Sequence, residues 1–298
     1  MVLSKRALVA LLPLVAACGH RGGAAPARPV APAQPVAPVP IEYATATEAY
    51  LARLIAGDHA AIAVGFADTP TIDDPFGGAV RGPQALNAFV SARRGWLAVR
   101  SPRLTPGPVT RAAGRTVVEA TLHLRHEGRA VDLPIAVVGD DAPAGRVRAL
   151  RVYHSFWPLE GKHRVRPPLL PLDPTAHPAG AVADYQRALA AGDVAAIVAT
   201  FEPDGYFREP SGAPWIHRGH AALRAFMTQI LAGGGIGIDH TTVTDDGKTC
   251  AIEFNAVRFG KKAITPQAGL AVYERGPTGR LRAARIYDDV NVEVLAAP

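Results

Sequence analysis

Helical spacing gives way to strand spacing along this chain, and then the whole pattern is repeated. From Ala46 to Ala56 the apolar residues Leu51, Leu54 and Ile55 recur at helical intervals, with a Thr45/Glu48 capping box in front and Gly57 behind. Asp58 caps a second short helix through Ile62 and Phe66, and a third starts at Gly82-Pro83 and presents Leu86, Phe89 and Val90. The period then drops to two. Val118, Ala120, Leu122 and Leu124 alternate with Glu119, Thr121, His123 and Arg125, which predicts a half-buried antiparallel strand over 117–125. Glu127-Gly128 turns the chain into a strand at 131–138, and 146–153 supplies the last. Helices first and a meander afterwards imply an α+β unit with helices on one face of a sheet.

The same order returns. Gly57-Asp58-x-Ala60-Ala61-Ile62 recurs 135 residues on as Gly192-Asp193-x-Ala195-Ala196-Ile197. Gly145-Arg146-Val147-Arg148-Ala149-Leu150-Arg151-Val152-Tyr153 recurs 134 residues on at Gly279–Tyr287, identical at six of nine positions. A period of that length marks a duplicated domain, since solenoid units are far shorter. The second copy predicts helices at 185–191, 193–201 and 220–231, and strands near 249–258, 264–274 and 280–287.

Composition changes the picture mainly at the front of the 298-residue chain. Lys5-Arg6, an apolar run from Ala7 to Ala17 and then Cys18 read as an export signal over 1–18. The run is too short to span a bilayer. Leu14-Val15-Ala16-Ala17-Cys18 resembles the lipobox of bacterial lipoproteins, so Cys18 is the expected lipidation site and the bacterial cell envelope the expected location. Prolines at every third position from Pro26 to Pro38 predict an extended polyproline spacer within 19–40. A second proline-rich stretch, 161–178, separates a domain at 41–160 from one at 179–298. Removing Lys5 and Arg6 leaves 30 basic against 26 acidic residues, with the arginines scattered, which argues against nucleic acid as a partner. Cys250 is the one cysteine besides Cys18, so each domain relies on its core and not on a disulfide.

Each unit resembles the NTF2-like or SnoaL-like superfamily, which includes ketosteroid isomerase. The resemblance rests on Leu54-Ile55-Ala56-Gly57-Asp58, Thr71-Ile72-Asp73-Asp74-Pro75-Phe76-Gly77, Arg81-Gly82 and the closing Gly-Arg-(Val/Leu)-Arg-Ala strand. It implies two tandem cone folds, each a bent sheet wrapped around a long helix with an apolar pocket between them. It also implies chemistry. Tyr50, seven residues before Gly57, and Asp74, seventeen after it, match the oxyanion tyrosine and the base of the isomerase; Tyr185 and Glu209 hold those places in the second unit. The isomerase's second acid falls at Ala136 and near Ala271, where no donor exists.

Alternation along the last strand adds His154 to the face of Leu150 and Val152, and Asp288 to that of Ala284 and Ile286. A histidine there suits proton transfer near neutrality. The candidate catalytic set is therefore Tyr50, Asp74 and His154; the pocket set adds Leu122, Leu150, Val152, Tyr185, Glu209, Phe254, Ile286 and Asp288. The same residues also have structural readings: Asp74-Pro75-Phe76-Gly77 and Glu209-Pro210-Ser211-Gly212 make good turns, and both tyrosines suit a helix core. Arg148, Arg151, Arg282 and Arg285 read as a paired face or an anion site. His123 and His126 point to opposite sides of a strand, so no metal centre is expected, nor any cofactor. Glu253 and Asn255 face outward from their sheet, and pairing of the two domains as a pseudo-dimer would set them against Thr121 and His123.

Three functions fit these features. One is a membrane-anchored protein binding a small, mostly apolar molecule; another an isomerase or cyclase using Asp74 or His154 as base and Tyr50 as oxyanion donor; the last a non-catalytic accessory module of an envelope complex. Of the two pockets, the first is the expected place for any chemistry.

Overall fold

A computed structural model describes residues 43–213 and 215–289. The signal, Cys18 and the spacer over 19–40 lie outside the described residues, as does the end of the second domain. Both repeats fall within one compact body.

The first repeat runs α1 (Ala46–Ala56), α2 (His59–Val64), β1 (Thr71–Asp74), β2 (Gly78–Arg81), α3 (Gly82–Ala98), β3 (Arg103–Ala112), β4 (Arg115–His126), β5 (Arg129–Asp141) and β6 (Val147–Tyr153). A one-turn α4 (Trp157–Glu160) follows. The second runs α5 (Gly180–Ala191), α6 (Val194–Ala199), β7 (Phe201–Arg208), β8 (Ile216–Arg218), α7 (Gly219–Ile230), β9 (Ile236–Asp245), β10 (Thr249–Phe259), β11 (Lys262–Arg275) and β12 (Leu281–Tyr287). Each repeat folds one six-stranded mixed sheet, ordered β2-β1-β6-β5-β4-β3 and β8-β7-β12-β11-β10-β9. The fold is α+β, two units of like strand order in tandem.

Local chemistry starts and stops these elements where the pattern puts them. The Thr45 side chain accepts the Glu48 amide, and Asp58 and Asp193 cap α2 and α6 in the same way. Gly57 and Gly192 end the preceding helices in left-handed conformations, at φ 72° and 73°, that a side chain would strain. Pattern alone did not reveal the short hairpins β1–β2 and β7–β8 or the edge strands β3 and β9. Two prolines interrupt β3 at 106 and 108, which disguises it, and an edge is where a strand tolerates them.

The apolar face of each sheet packs on its own helices, with Leu51, Leu54, Leu86 and Phe89 in one core and Val182, Leu189, Leu223 and Met227 in the other. The opposite faces share a third apolar cluster: Val117, Ala136, Val138 and Tyr153 with Ala251, Leu270, Val272 and Tyr287. Two buried ion pairs cross it. Glu253 accepts Arg151 Nε at 2.5 Å and the Tyr153 hydroxyl at 2.7 Å. Glu119 accepts Arg285 Nε at 2.6 Å and the Tyr287 hydroxyl at 2.6 Å. The two sets are the same three residues displaced by the repeat, each reaching into the other unit. Burial alone would pull both guanidinium pKa values down, but the facing carboxylates raise them above the ordinary arginine value.

Two expectations need correction. Glu253 is met by Arg151, Tyr153 and Thr242, not by Thr121 and His123; His123 bonds Thr105 and Asp132 in its own sheet, and Asn255 donates to the Leu170 carbonyl. A carboxylate this deeply buried needs a cation, and Arg151 supplies it. Ala136 lies in the cluster between the sheets, while Ala271 faces the second unit's helices; the residue paired like Ala271 is Val137, one position on. Both pocket-facing positions are apolar. The stretch 161–178 is docked on the second sheet, its Arg166 carbonyl accepting the Ala268 amide at 2.9 Å and its Asp173 amide donating to the His240 carbonyl at 3.0 Å.

Candidate functional site

Between helices and sheet, each unit holds a cavity, and the two are unlike. The first encloses only about 10 Å³, roughly the room of one water molecule. Asp74, Arg93, His154, Leu122 and Leu133 are among its walls. Asp74 Oδ1 accepts the Phe76 amide at 2.8 Å and the Gly77 amide at 3.1 Å, the turn-forming role open to it in sequence. His154 Nδ1 lies 3.1 Å from the Ser155 carbonyl; since a carbonyl only accepts, Nδ1 carries the proton and Nε2 a lone pair. Among the described residues Nε2 has no hydrogen-bond partner, nor do the buried Tyr50 Oη and Arg93 Nε. Burial pushes the His154 imidazole down to about 4, against the opposing pull of the Asp74 carboxylate. Burial, then the nearby Asp74 charge, raises the Tyr50 hydroxyl well above its ordinary value. Leu150 and Val152 pack into the first core and do not line the cavity.

Sequence reasoning missed Arg93. Its guanidinium sits 3.9 Å above the Phe76 ring and 4.7 Å from Trp96, filling the space beside Asp74. The signal was present: Leu86, Phe89, Val90, Arg93 and Leu97 form one helical stripe, and all five are buried.

The second cavity is open, at about 270 Å³. Tyr185, Glu209, Phe254, Ile286 and Asp288 all line it, together with Phe207, Phe226, Phe259, Tyr273 and His163, which sequence reasoning did not place there. Glu209 Oε1 lies 2.7 Å from His217 Nε2, and the His217 ring stacks on Phe226 at 3.9 Å between centroids. Asp288 is fully buried, 3.1 Å from Arg166 Nη1. Burial raises its carboxyl to about 7 despite that arginine. A wider surface groove of about 570 Å³, near Trp157, Lys162 and Trp215, contains none of the expected site residues. Among the described residues no cluster of three or more histidine, cysteine or acidic side chains could hold a metal, and no helix is long and apolar enough to cross a membrane.

The sequence profile of the SnoaL-like domain matches residues 182–287, which span α5 through β12. Residues 182–287 are similar to the SnoaL-like domain. No curated protein matches the chain. Among solved structures, the chain is similar to the epoxide hydrolase/cyclase-like enzyme SalBIII of pyran ring formation in the polyether salinomycin, at 21% identity and TM-score 0.32, covering 40% of this chain and 93% of that one. It is also similar to an NTF-2 like protein of unknown function from Burkholderia xenovorans, at 20% identity and TM-score 0.30, over 40% and 84% of the chains. A third is a ketosteroid isomerase-like protein from Catenulispora acidiphila in complex with trimethylamine, at 17% identity and TM-score 0.34, over 39% and 89%.

Proposed function

We propose that the chain binds a small, mostly apolar molecule in the cavity of its SnoaL-like second unit. The observation that supports this is the contrast in volume, about 270 Å³ against about 10 Å³. The larger cavity is walled by aromatic and aliphatic side chains with a few polar groups, the usual make-up of a small-molecule site. In the same reading the two units act as an internal pair, joined by the Arg151–Glu253 and Arg285–Glu119 contacts, and lipidation of Cys18 holds them at the bacterial envelope. Native mass spectrometry of protein purified from its own source tests the binding: a co-purifying small molecule is expected, and is lost when Ala271→Phe fills the cavity. A clean protein mass, with no thermal shift from a panel of small apolar compounds, counts against the reading. A palmitate analogue that still labels Cys18→Ala rules out the anchor.

The partnerless Tyr50 Oη and His154 Nε2 favour a second reading, an isomerase or cyclase in the first unit. There His154 Nε2 or Asp74 takes a proton from a carbon next to a carbonyl, and the Tyr50 hydroxyl donates to the enolate oxygen. Deuterium exchange into ketones, abolished by Tyr50→Phe, is its test. Arg93 must first leave the cavity, which places this reading second.

A further inference from the structure

The two cavities differ because one of them already contains a cation. Arg81-Gly82 and Arg218-Gly219 open α3 and α7 in the same way, which sets Phe89 against Phe226, Val90 against Met227 and Arg93 against Ile230. In the first unit the Arg93 guanidinium lies over two aromatic rings beside Asp74. In the second, Ile230 is a wall of the cavity, and the carboxylate at the place of Asp74 is Glu209. The chain thus shows one pocket with a built-in positive group and a sister pocket without it.

The second pocket is suited to what the first contains. Six rings line it, those of Tyr185, Phe207, Phe226, Phe254, Phe259 and Tyr273, and neither lysine nor arginine is among its lining residues. Aromatic faces attract cations, more so where water is excluded. Of the acidic groups nearby, Asp288 is answered by Arg166 at 3.1 Å and Asp289 by His163 at 2.8 Å. Among the described residues Glu209 is hydrogen-bonded by His217 at 2.7 Å and lies near His163, which is itself paired with Asp289, and neither lysine nor arginine answers it.

We propose that the second cavity takes a small hydrophobic amine in its cationic form, the ammonium beside Glu209 and the apolar end among the six rings. The proposal rests on reading this cavity as a binding site, and adds the charge of the ligand. No bond is made or broken; the ammonium replaces part of its hydration with a carboxylate and aromatic faces.

Calorimetric titration of the full chain at pH 8, with benzylamine and with benzyl alcohol of nearly the same shape, tests it. Benzylamine binds about tenfold more tightly than the alcohol, and Glu209→Gln brings the two to parity. Ile230→Arg, which plants in the second unit the cation that the first carries, abolishes binding of both. Should Ile230→Arg not fold, the Glu209→Gln comparison decides alone, since that side chain lies at the rim. Equal affinities in the unmodified protein, or a preference for the alcohol, overturn the amine proposal while leaving the cavity as a binding site. No binding of either compound overturns both.

Discussion

Replacing Glu253 with leucine strikes the contact on which the two sheets most depend. The carboxylate is 2% exposed and accepts four hydrogen bonds, from Arg151 Nε at 2.5 Å and Nη2 at 3.0 Å, from Tyr153 at 2.7 Å and from Thr242 at 2.7 Å. Leucine leaves the Tyr153 and Thr242 hydroxyls buried without that acceptor, each costing about 1–3 kcal/mol. Arg151 keeps Asp140, at 2.6 and 2.9 Å, so its charge is only partly orphaned. The loss should therefore fall in the range for breaking one side of a buried pair, about 3–5 kcal/mol. For a body of this size that lowers the melting temperature by roughly 10 °C. Urea unfolding followed by circular dichroism measures it, with Glu119→Leu as the twin: its arginine likewise keeps a second acid, Glu274 at 3.1 Å. Glu119→Leu should cost less, by the about 1–3 kcal/mol of one hydroxyl, because it strands Tyr287 alone where Glu253→Leu strands both Tyr153 and Thr242. A loss below about 1 kcal/mol for either, or a larger loss for Glu119→Leu than for Glu253→Leu, refutes the view that these hydrogen bonds support the sheet contact.

Acid–base behaviour gives a second prediction. His154 binds its proton less readily folded than unfolded, so its contribution to stability is present above pH 6.5 and is lost as pH falls towards 4. Asp288 has the opposite sign: its contribution is present below about 3.8 and is lost as pH rises towards 7. The two slopes oppose each other between pH 4 and 6.5. His154→Phe should leave stability falling with pH there, and Asp288→Asn should leave it rising; asparagine also accepts the left-handed backbone at 288, φ 71°. Denaturant titrations at several pH values decide, and matching slopes in both variants refute the assignment. Arg93→Ile, which copies Ile230, should enlarge the first cavity without loss of stability, because it removes a buried guanidinium with a partnerless Nε; xenon binding or a crystal structure reads the added volume. Thr45→Ala removes the cap of α1 and should cost about 1 kcal/mol in the same urea assay.

Legibility in the sequence followed the range of the physics. Caps, helix ends and the alternation in β4 depend on neighbours within a few residues, so they stood plainly in the string from Thr45 to Arg125. Glu119 and Glu253 could be seen to face away from their helices. Their partners could not, because Arg151 and Arg285 meet them only through the docking of one sheet on another, about a hundred residues or more away in the chain. Position along β6 and β12 was enough to bring His154 and Asp288 to the cavities. It could not show cavity volume, which turns on whether Arg93 or Ile230 projects from the third helix. That difference was visible as two letters and acquired meaning only when both helices were superposed on their sheets.

The exchanged Arg–Glu contacts have a consequence for how the repeats can diverge. In a symmetric assembly of identical chains each mutation appears in every copy, so a residue that plugs one cavity plugs them all. Here the partner sheet is encoded in the same polypeptide, and a change at 93 need not appear at 230. One half can give up its cavity to a buried side chain while the other keeps an open one, and the contact between them is always at intramolecular concentration. Fusion thus allows a division of labour that symmetry forbids.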